Sequence, residues 1–120
     1  MYVEGANDNF SNLEFENNPK IDEINVQMKT LRYIFEKYIL SEKNIDLLNI
    51  DVEGFELEVI NSNDWEKYRP KYVLIEIHKY DAQNIYKDEI VKRMKDFDYS
   101  IKSIMPVTVL FENRKIFTEN

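Results

Sequence analysis

The strongest constraint on the fold is a pattern that occurs twice, a short and almost wholly apolar run followed by residues at helical spacing. The two runs are IDLLNI at 45–50 and YVLIEIH at 72–78. Each has the length and composition of a strand that is covered on both faces. Because strands that alternate with helices form parallel sheets, the sequence predicts an α/β fold with these two strands parallel.

Helical spacing precedes the first run and follows each run. Thr30 is suited to cap the first of these helices, since its hydroxyl can accept from a free N–H of the first turn. The third helix is predicted over about 83–97. The predicted buried sides are Leu31, Ile34, Phe35, Tyr38 and Ile39 in the first helix, Phe55, Val59 and Ile60 in the second, and Tyr86, Ile90, Met94 and Phe97 in the third.

The two ends of the chain have a different character from its middle. YSIKSIM at 99–105 and VTVLFE at 107–112 have no helix between them, so they are predicted to pair as an antiparallel hairpin at the sheet edge. Near the other end, Ile24, Val26 and Met28 alternate with polar residues, as in a half-exposed strand. Residues 1–20 are predicted to be a polar, irregular leader, and residues 21–120 the folded domain.

Composition excludes several classes of function. The chain has 120 residues, a formal net charge of −7 and no cysteine. An acidic surface repels phosphate groups, which argues against nucleic-acid binding, and no basic face favours binding to a membrane surface. No apolar run approaches the roughly 20 residues that span a bilayer, and without cysteine there is no disulfide framework. A cytoplasmic location is therefore expected.

Ionisable residues follow both apolar runs at the point where each predicted strand ends. Asp51 and Glu53 follow the first, and Glu76 and His78 lie two residues apart, and so on one face, at the end of the second. Ligands of open α/β sheets bind outside the carboxyl ends of the strands. His78 is the only histidine, and an imidazole with a pKa of about 6.5 suits proton transfer at neutral pH. These residues, with Glu56 in the next helix, are candidate site residues.

Other interpretations of the same residues stay open at this point. Asp51 and Glu53 can have a purely structural role, in which their negative charges stabilise the positive end of the dipole of the next helix. A single histidine at a strand end is often structural too. Glu56 can lie on the plain surface of its helix. Carboxylates with an imidazole can also bind Mg²⁺ or Mn²⁺, although no specific metal-ligand spacing is present.

The string IDLLNIDVEGFELEVINSNDW, followed by RPKYVLIEIH, resembles the C-terminal half of FkbM-family methyltransferases. That family has a strand ending in I-D-x-E-G-x-E and then a strand, preceded by proline, that ends in E-x-H. NVQMKTLRYIF is similar to the segment that precedes these motifs, so the resemblance covers roughly residues 24–112. The matching positions are Ile50, Asp51, Glu53, Gly54, Glu56, Val59, Pro70, Glu76 and His78.

The resemblance implies an S-adenosylmethionine-dependent O-methyltransferase that acts on a hydroxyl of a sugar or another small molecule. It implies a Rossmann-like sheet in which the four strands are equivalent to strands 4-5-7-6, with an antiparallel terminal hairpin. In this setting Asp51 and His78 are the expected catalytic residues, which orient or deprotonate the acceptor hydroxyl. Glu53, Glu56 and Glu76 are expected to bind the substrate, and no metal is required.

The chain departs from the family pattern in its first part. Only 44 residues precede Ile45, and Gly5 is the sole glycine among them, whereas three βα units need roughly 90 residues. The N-terminal cofactor-binding half is therefore expected to be missing, which leaves the cofactor-binding residues unknown and an apolar strand at the sheet edge. A homodimer or a separately encoded N-terminal half is expected to cover that edge, and the chain alone is expected to be inactive.

Two alternatives to a methyltransferase remain. A non-catalytic remnant would dimerise through the exposed sheet edge and carry no chemistry. A metal-assisted hydrolase would use the same carboxylates as ligands.

Overall fold

The computed structural model describes residues 3–5, 22–39 and 43–115. Strands and helices alternate through most of this part of the chain, as the apolar pattern predicts. In chain order the elements are β1 Val3–Gly5, β2 Val26–Met28, α1 Leu31–Tyr38, β3 Leu47–Ile50, α2 Glu56–Asn61, β4 Tyr72–Glu76, a 3₁₀ helix Ala82–Lys87, α3 Glu89–Asp96, β5 Tyr99–Ile104 and β6 Thr108–Asn113.

The main sheet has four strands in the order β3-β4-β6-β5. β3 and β4 are parallel, whereas β6 is antiparallel to both of its neighbours. β1 and β2 form a separate antiparallel pair. The predicted α/β class, the parallel pair and the terminal hairpin are confirmed. The equivalence of these strands to strands 4-5-7-6 of a larger methyltransferase sheet stays a prediction.

The core lies on one face of the main sheet. Alternate residues of β4 and β6 are buried there, because successive side chains of a strand point to opposite faces. They pack in a single cluster with apolar residues of α2 and α3. The central members of this cluster are Val59, Ile60, Val73, Ile75, Val91, Met94, Val109 and Phe111. On the opposite face, the alternate residues Leu74 and Leu110 are only half-buried.

The beginning of the first helix agrees with its prediction, and the first apolar strand does not. Thr30 caps α1, with its Oγ1 accepting from the Tyr33 backbone N–H at 3.1 Å, and Leu31 and Phe35 are buried. The prediction that IDLLNI is covered on both faces is wrong, because Leu47 and Asn49 are exposed. Among the described residues β3 pairs only with β4, so it is an edge strand and has no second neighbour.

Three aromatic side chains predicted to be buried are exposed. Tyr38 is 55% exposed, because it is the last residue of α1. Phe55 lies before α2 and is 60% exposed, because the chain makes a turn there and the helix begins one residue later. Tyr86 belongs to the 3₁₀ helix, since the predicted helix over 83–97 is divided at Asp88. The Asp88 carboxylate accepts from the Ile90 backbone N–H at 2.8 Å and so begins α3.

The predicted division into a leader and a domain stays a prediction. Most of residues 1–20 lies outside the described residues, and within that range Val3–Gly5 forms β1. The strand predicted around Val26 is confirmed as β2, but its predicted half-burial is wrong, because Ile24 and Met28 are exposed and only Val26 is partly buried. No helix in the described part of the chain is long and apolar enough to span a membrane.

Candidate functional site

The predicted site residues lie along one edge of the main sheet. Ile50 at the end of β3 pairs with Ile75 near the end of β4, so the two parallel strands finish at the same level. β5 runs in the same direction as β4, because both are antiparallel to β6. The turn between β5 and β6 therefore lies at this edge too. We call this edge the carboxyl rim, and it comprises residues 51–56, 76–80 and 105–107.

A tight turn leads from β3 into α2. The Phe55 backbone N–H donates to the Val52 carbonyl at 3.3 Å, and both residues between them have positive φ, 50° at Glu53 and 102° at Gly54. A Cβ on Gly54 would meet nothing within 4 Å, so the turn needs glycine for its backbone angle and not for space. Positive φ at Glu53 costs about 1–2 kcal/mol, which suggests a functional reason for holding its side chain there.

Glu56 lies beneath this turn and stabilises it. Its side chain is among the buried charged groups, and its Oε1 accepts from the Gly54 backbone N–H at 3.1 Å. This role was not predictable from the sequence, because a glutamate at the start of a helix is equally typical of an exposed surface position. Its predicted contact with substrate stays a prediction.

His78 lies at the centre of the rim. Its Nε2 is 2.9 Å from Glu76 Oε1 and 4.0 Å from Glu53 Oε2. The exposed fractions of the three side chains differ, at 20% for Glu76, 46% for His78 and 83% for Glu53. Glu76 is therefore the inner partner that holds the imidazole, while His78 itself stays open to a ligand.

Asp51 completes the group through Glu76. A hydrogen bond that the protonated Glu76 carboxyl donates to the Asp51 side chain raises the pKa of Glu76 above its ordinary value, and partial burial and the negative charges of Asp51 and Glu53 act in the same direction. His78 opposes this rise in the pKa. The structure thus brings together four of the five predicted site residues, Asp51, Glu53, Glu76 and His78, and places Glu56 below them.

Three of these side chains could hold a metal ion. Glu53, Glu76 and His78 each offer one ligand atom, and these atoms lie within 4.8 Å of one another. Carboxylate oxygen and imidazole nitrogen are ligands that Mn²⁺ and Zn²⁺ accept. All three belong to the carboxyl rim, so any such ion would lie at this rim.

A cavity of about 240 Å³ adjoins His78 on the side of the helices. Its lining combines the Glu53–Glu56 turn with the beginning of α3, and it has acidic and apolar walls. The lining residues are Gly54, Glu56, Leu57, Ile77, His78, Asp88, Glu89 and Ile90. His78 is therefore accessible both from the rim and from this cavity.

The turn between β5 and β6 belongs to the rim, which the sequence analysis missed. The Ile77 backbone N–H donates to the Val107 carbonyl at 2.8 Å, and the Tyr80 hydroxyl donates to the Met105 carbonyl at 3.0 Å. These bonds fix the turn beside His78. The strand directions place this turn. Because β6 is antiparallel to both β4 and β5, the turn that joins β5 to β6 lies at the end of the sheet where β4 ends.

Comparison with known proteins gives one result. The family model for the methyltransferase FkbM domain matches residues 2–101. No curated protein and no solved structure gives a match. The matched span includes the β3 and β4 parts of the rim and ends within β5. The resemblance carried by the I-D-V-E-G-x-E and E-x-H motifs is thereby confirmed.

Proposed function

Because the chain belongs to the FkbM methyltransferase family, we propose that its carboxyl rim is the acceptor site of an S-adenosylmethionine-dependent O-methyltransferase. The observation that supports this most directly is the ordered pair of His78 and Glu76, with Asp51 beside it, at the carboxyl edge of parallel strands. That edge is where open α/β sheets bind their ligands. The acceptor is a hydroxyl of a sugar or another small molecule.

In this proposal His78 takes the proton of the acceptor hydroxyl. When Glu76 is ionised, the imidazole Nε2–H donates to Glu76 Oε1 over 2.9 Å, which leaves Nδ1 as the nitrogen that can accept a proton. Glu76 then stabilises the imidazolium that forms, as a carboxylate does in a catalytic triad. Asp51 orients the same hydroxyl.

Glu53 and Glu56 are assigned to acceptor binding. Glu53 is the more exposed of the two and lies 4.0 Å from the imidazole, so it is placed to accept from a second hydroxyl of a sugar. Glu56 lines the cavity behind His78 and already holds Gly54. Fixed acceptors of this kind position the reacting oxygen, which contributes a large share of the rate in bimolecular transfer.

The described residues fit the acceptor and do not form a cradle for the cofactor. The family usually uses S-adenosylmethionine, which supplies an electrophilic methyl group. Gly54 is the only glycine of the rim, and its open surroundings form no close seat for a bound group. No catalytic step is therefore assigned to contacts between these residues and the cofactor.

The cofactor site is proposed to be completed across the free edge of β3. Among the described residues this strand pairs on one side only, and Leu47 and Asn49 are exposed. Unpaired backbone groups of an edge strand are a template for another strand. A second copy of the chain or a separately encoded N-terminal half would occupy it, so the isolated monomer is proposed to be inactive.

The test is calorimetric titration of the full chain with S-adenosylmethionine at concentrations that span any self-association, with the mass in solution measured alongside. The proposal expects micromolar binding to appear together with the assembled species. A folded dimer that does not bind S-adenosylmethionine, with or without an acceptor, would contradict completion of the site by a second copy and would leave a separately encoded N-terminal half or the non-catalytic remnant.

The ligand group of Glu53, Glu76 and His78 keeps the hydrolase as the second candidate. Binding of a metal to the folded state alone raises the melting temperature, by an amount that grows with the logarithm of the metal concentration divided by its Kd. If the protein is a methyltransferase, Mg²⁺ or Mn²⁺ is expected to raise the melting temperature of the original chain no more than that of the His78→Gln variant. A metal-dependent rise that this variant abolishes would favour the hydrolase.

A further inference from the structure

The carboxyl rim carries exposed apolar side chains beside its charged group. Met105 and Val107 in the β5–β6 turn are 40% and 46% exposed, and Phe55 is exposed at the other end of the rim. Exposed apolar residues scattered over a surface need no explanation. These three side chains lie on both sides of the polar group formed by Glu76 and His78, and that arrangement does need an explanation.

Strand register places Met105 on the same face as the charged group. Glu76 pairs with Thr108 across β4 and β6. Thr108 in turn exchanges two backbone hydrogen bonds with Met105, at 2.8 and 3.4 Å. Directly paired residues project from the same face, and strands lie about 4.8 Å apart, so Met105 lies about 10 Å from Glu76 along one row.

Val107 shows apolar surface on the other face of the same edge. It lies opposite Ile77 in the continued register, and its carbonyl accepts from the Ile77 backbone N–H. The bond from the Tyr80 hydroxyl to the Met105 carbonyl holds the whole turn against the chain that carries His78. The apolar tip is therefore rigidly attached to the strand that bears the proposed base.

We propose that Met105 and Val107, with Phe55 opposite, select an acceptor whose hydroxyl is attached to an apolar group. This inference rests on the proposed function, and it narrows the acceptor from any small hydroxyl compound to an amphipathic one. The hydroxyl lies at His78 and Glu76, and the apolar group covers the tip of the β5–β6 turn. A fully polar sugar would leave that tip in water.

The test compares two probes that share a sugar and differ only in the alkyl group, hexyl β-D-glucoside and methyl β-D-glucoside. Each is titrated into the full chain while the chemical shifts of backbone amides are followed by NMR, without S-adenosylmethionine. The hexyl compound is expected to bind at least about tenfold more tightly, because each buried methylene adds roughly a factor of four. The largest shifts are expected at residues 76–80 and 105–107.

Substitutions identify the residues that cause the preference for the hexyl compound. Met105→Ala/Val107→Ala is expected to reduce the ratio of the two affinities below about threefold, and Met105→Gln, which keeps the side-chain length, to reduce it partly. The matched control is Met28→Ala, which removes an exposed methionine side chain of β2, outside the carboxyl rim, and is expected to leave the ratio unchanged. Equal binding of both glucosides, or a preference that survives in both Met105 variants, would overturn the inference.

Failure of this inference can be told apart from failure of the proposed function. A chain that prefers the hexyl compound at the rim but never transfers a methyl group contradicts the proposed function. A chain that methylates both glucosides with equal efficiency contradicts the apolar selection alone.

Discussion

The two ends of the strands in the main sheet are built in opposite ways. We call the end where β4 begins the amino edge, and the carboxyl rim is the other end. At the amino edge, where β4 begins, Arg69 donates to the carbonyls of Trp65 and Phe97 and to Asn113 Oδ1, at 2.7–2.8 Å. The Tyr99 hydroxyl donates to the Pro70 carbonyl at 2.6 Å. At the carboxyl rim, three carboxylates gather around one histidine instead. The first edge fastens the fold, and the second is left available for a ligand.

Aromatic packing reinforces the amino edge. Trp65 stacks on Phe97 at 5.4 Å and meets Tyr99 edge-on at 5.3 Å between ring centroids, and its Nε1–H donates to the Ile60 carbonyl at 2.7 Å. Burial away from water raises the pKa of the Tyr99 hydroxyl, although the nearby Arg69 charge opposes this. Stability is therefore concentrated at the edge opposite the candidate site.

Among the substitutions that test this difference, removal of Trp65 is expected to have the largest effect on stability. Trp65→Ala is expected to lower the free energy of unfolding by about 3–5 kcal/mol, because it leaves a cavity and removes the hydrogen bond from the indole to the Ile60 carbonyl. Urea unfolding measures the loss. The matched control is Phe55→Ala at the rim, where an exposed ring is removed and a change within about 0.5 kcal/mol is expected. Similar losses in the two variants would show that the edges do not differ.

A backbone substitution tests the strain at the rim. Gly54→Ala is expected to lower the free energy of unfolding by about 1–2 kcal/mol, because an alanine disfavours the positive φ of 102°. The control is the neighbouring Glu53→Gly, which relieves a positive φ of 50° and is expected to stabilise slightly. Thermal unfolding compares them. A neutral Gly54→Ala would mean that the turn does not hold this conformation in solution.

The smallest expected effect is a dependence on pH. The folded state raises the pKa of Glu76 above 4.5, so above that pH the folded chain holds a proton that the unfolded chain has released. Stability from this group is therefore present at low pH and is lost as pH rises through the raised value. Glu76→Gln is expected to flatten this part of the stability–pH curve. An unchanged curve would contradict the contact between Asp51 and Glu76.

The sequence was sufficient for the fold and for the grouping of most site residues. Two apolar runs and their helical stripes predict β3, β4 and the hairpin, and the parallel pairing then brings Asp51 and His78 to one edge. The exposure of Phe55 and Tyr86 was not predictable from spacing, because it depends on where the turn at Gly54 and the cap at Asp88 end their helices. The hydrogen bond that Glu56 accepts from the Gly54 backbone N–H was not predictable either, because it depends on the same turn.

The most direct test of the central claim is transfer of a labelled methyl group from S-adenosylmethionine to hexyl β-D-glucoside by the assembled chain, with and without His78→Gln. His78 is half-exposed, so the variant is expected to keep its free energy of unfolding within about 0.5 kcal/mol of the original. Loss of a general base is expected to lower the rate about 10²–10⁴-fold. A folded His78→Gln protein that transfers methyl groups at the original rate would contradict the assignment of the carboxyl rim as the acceptor site.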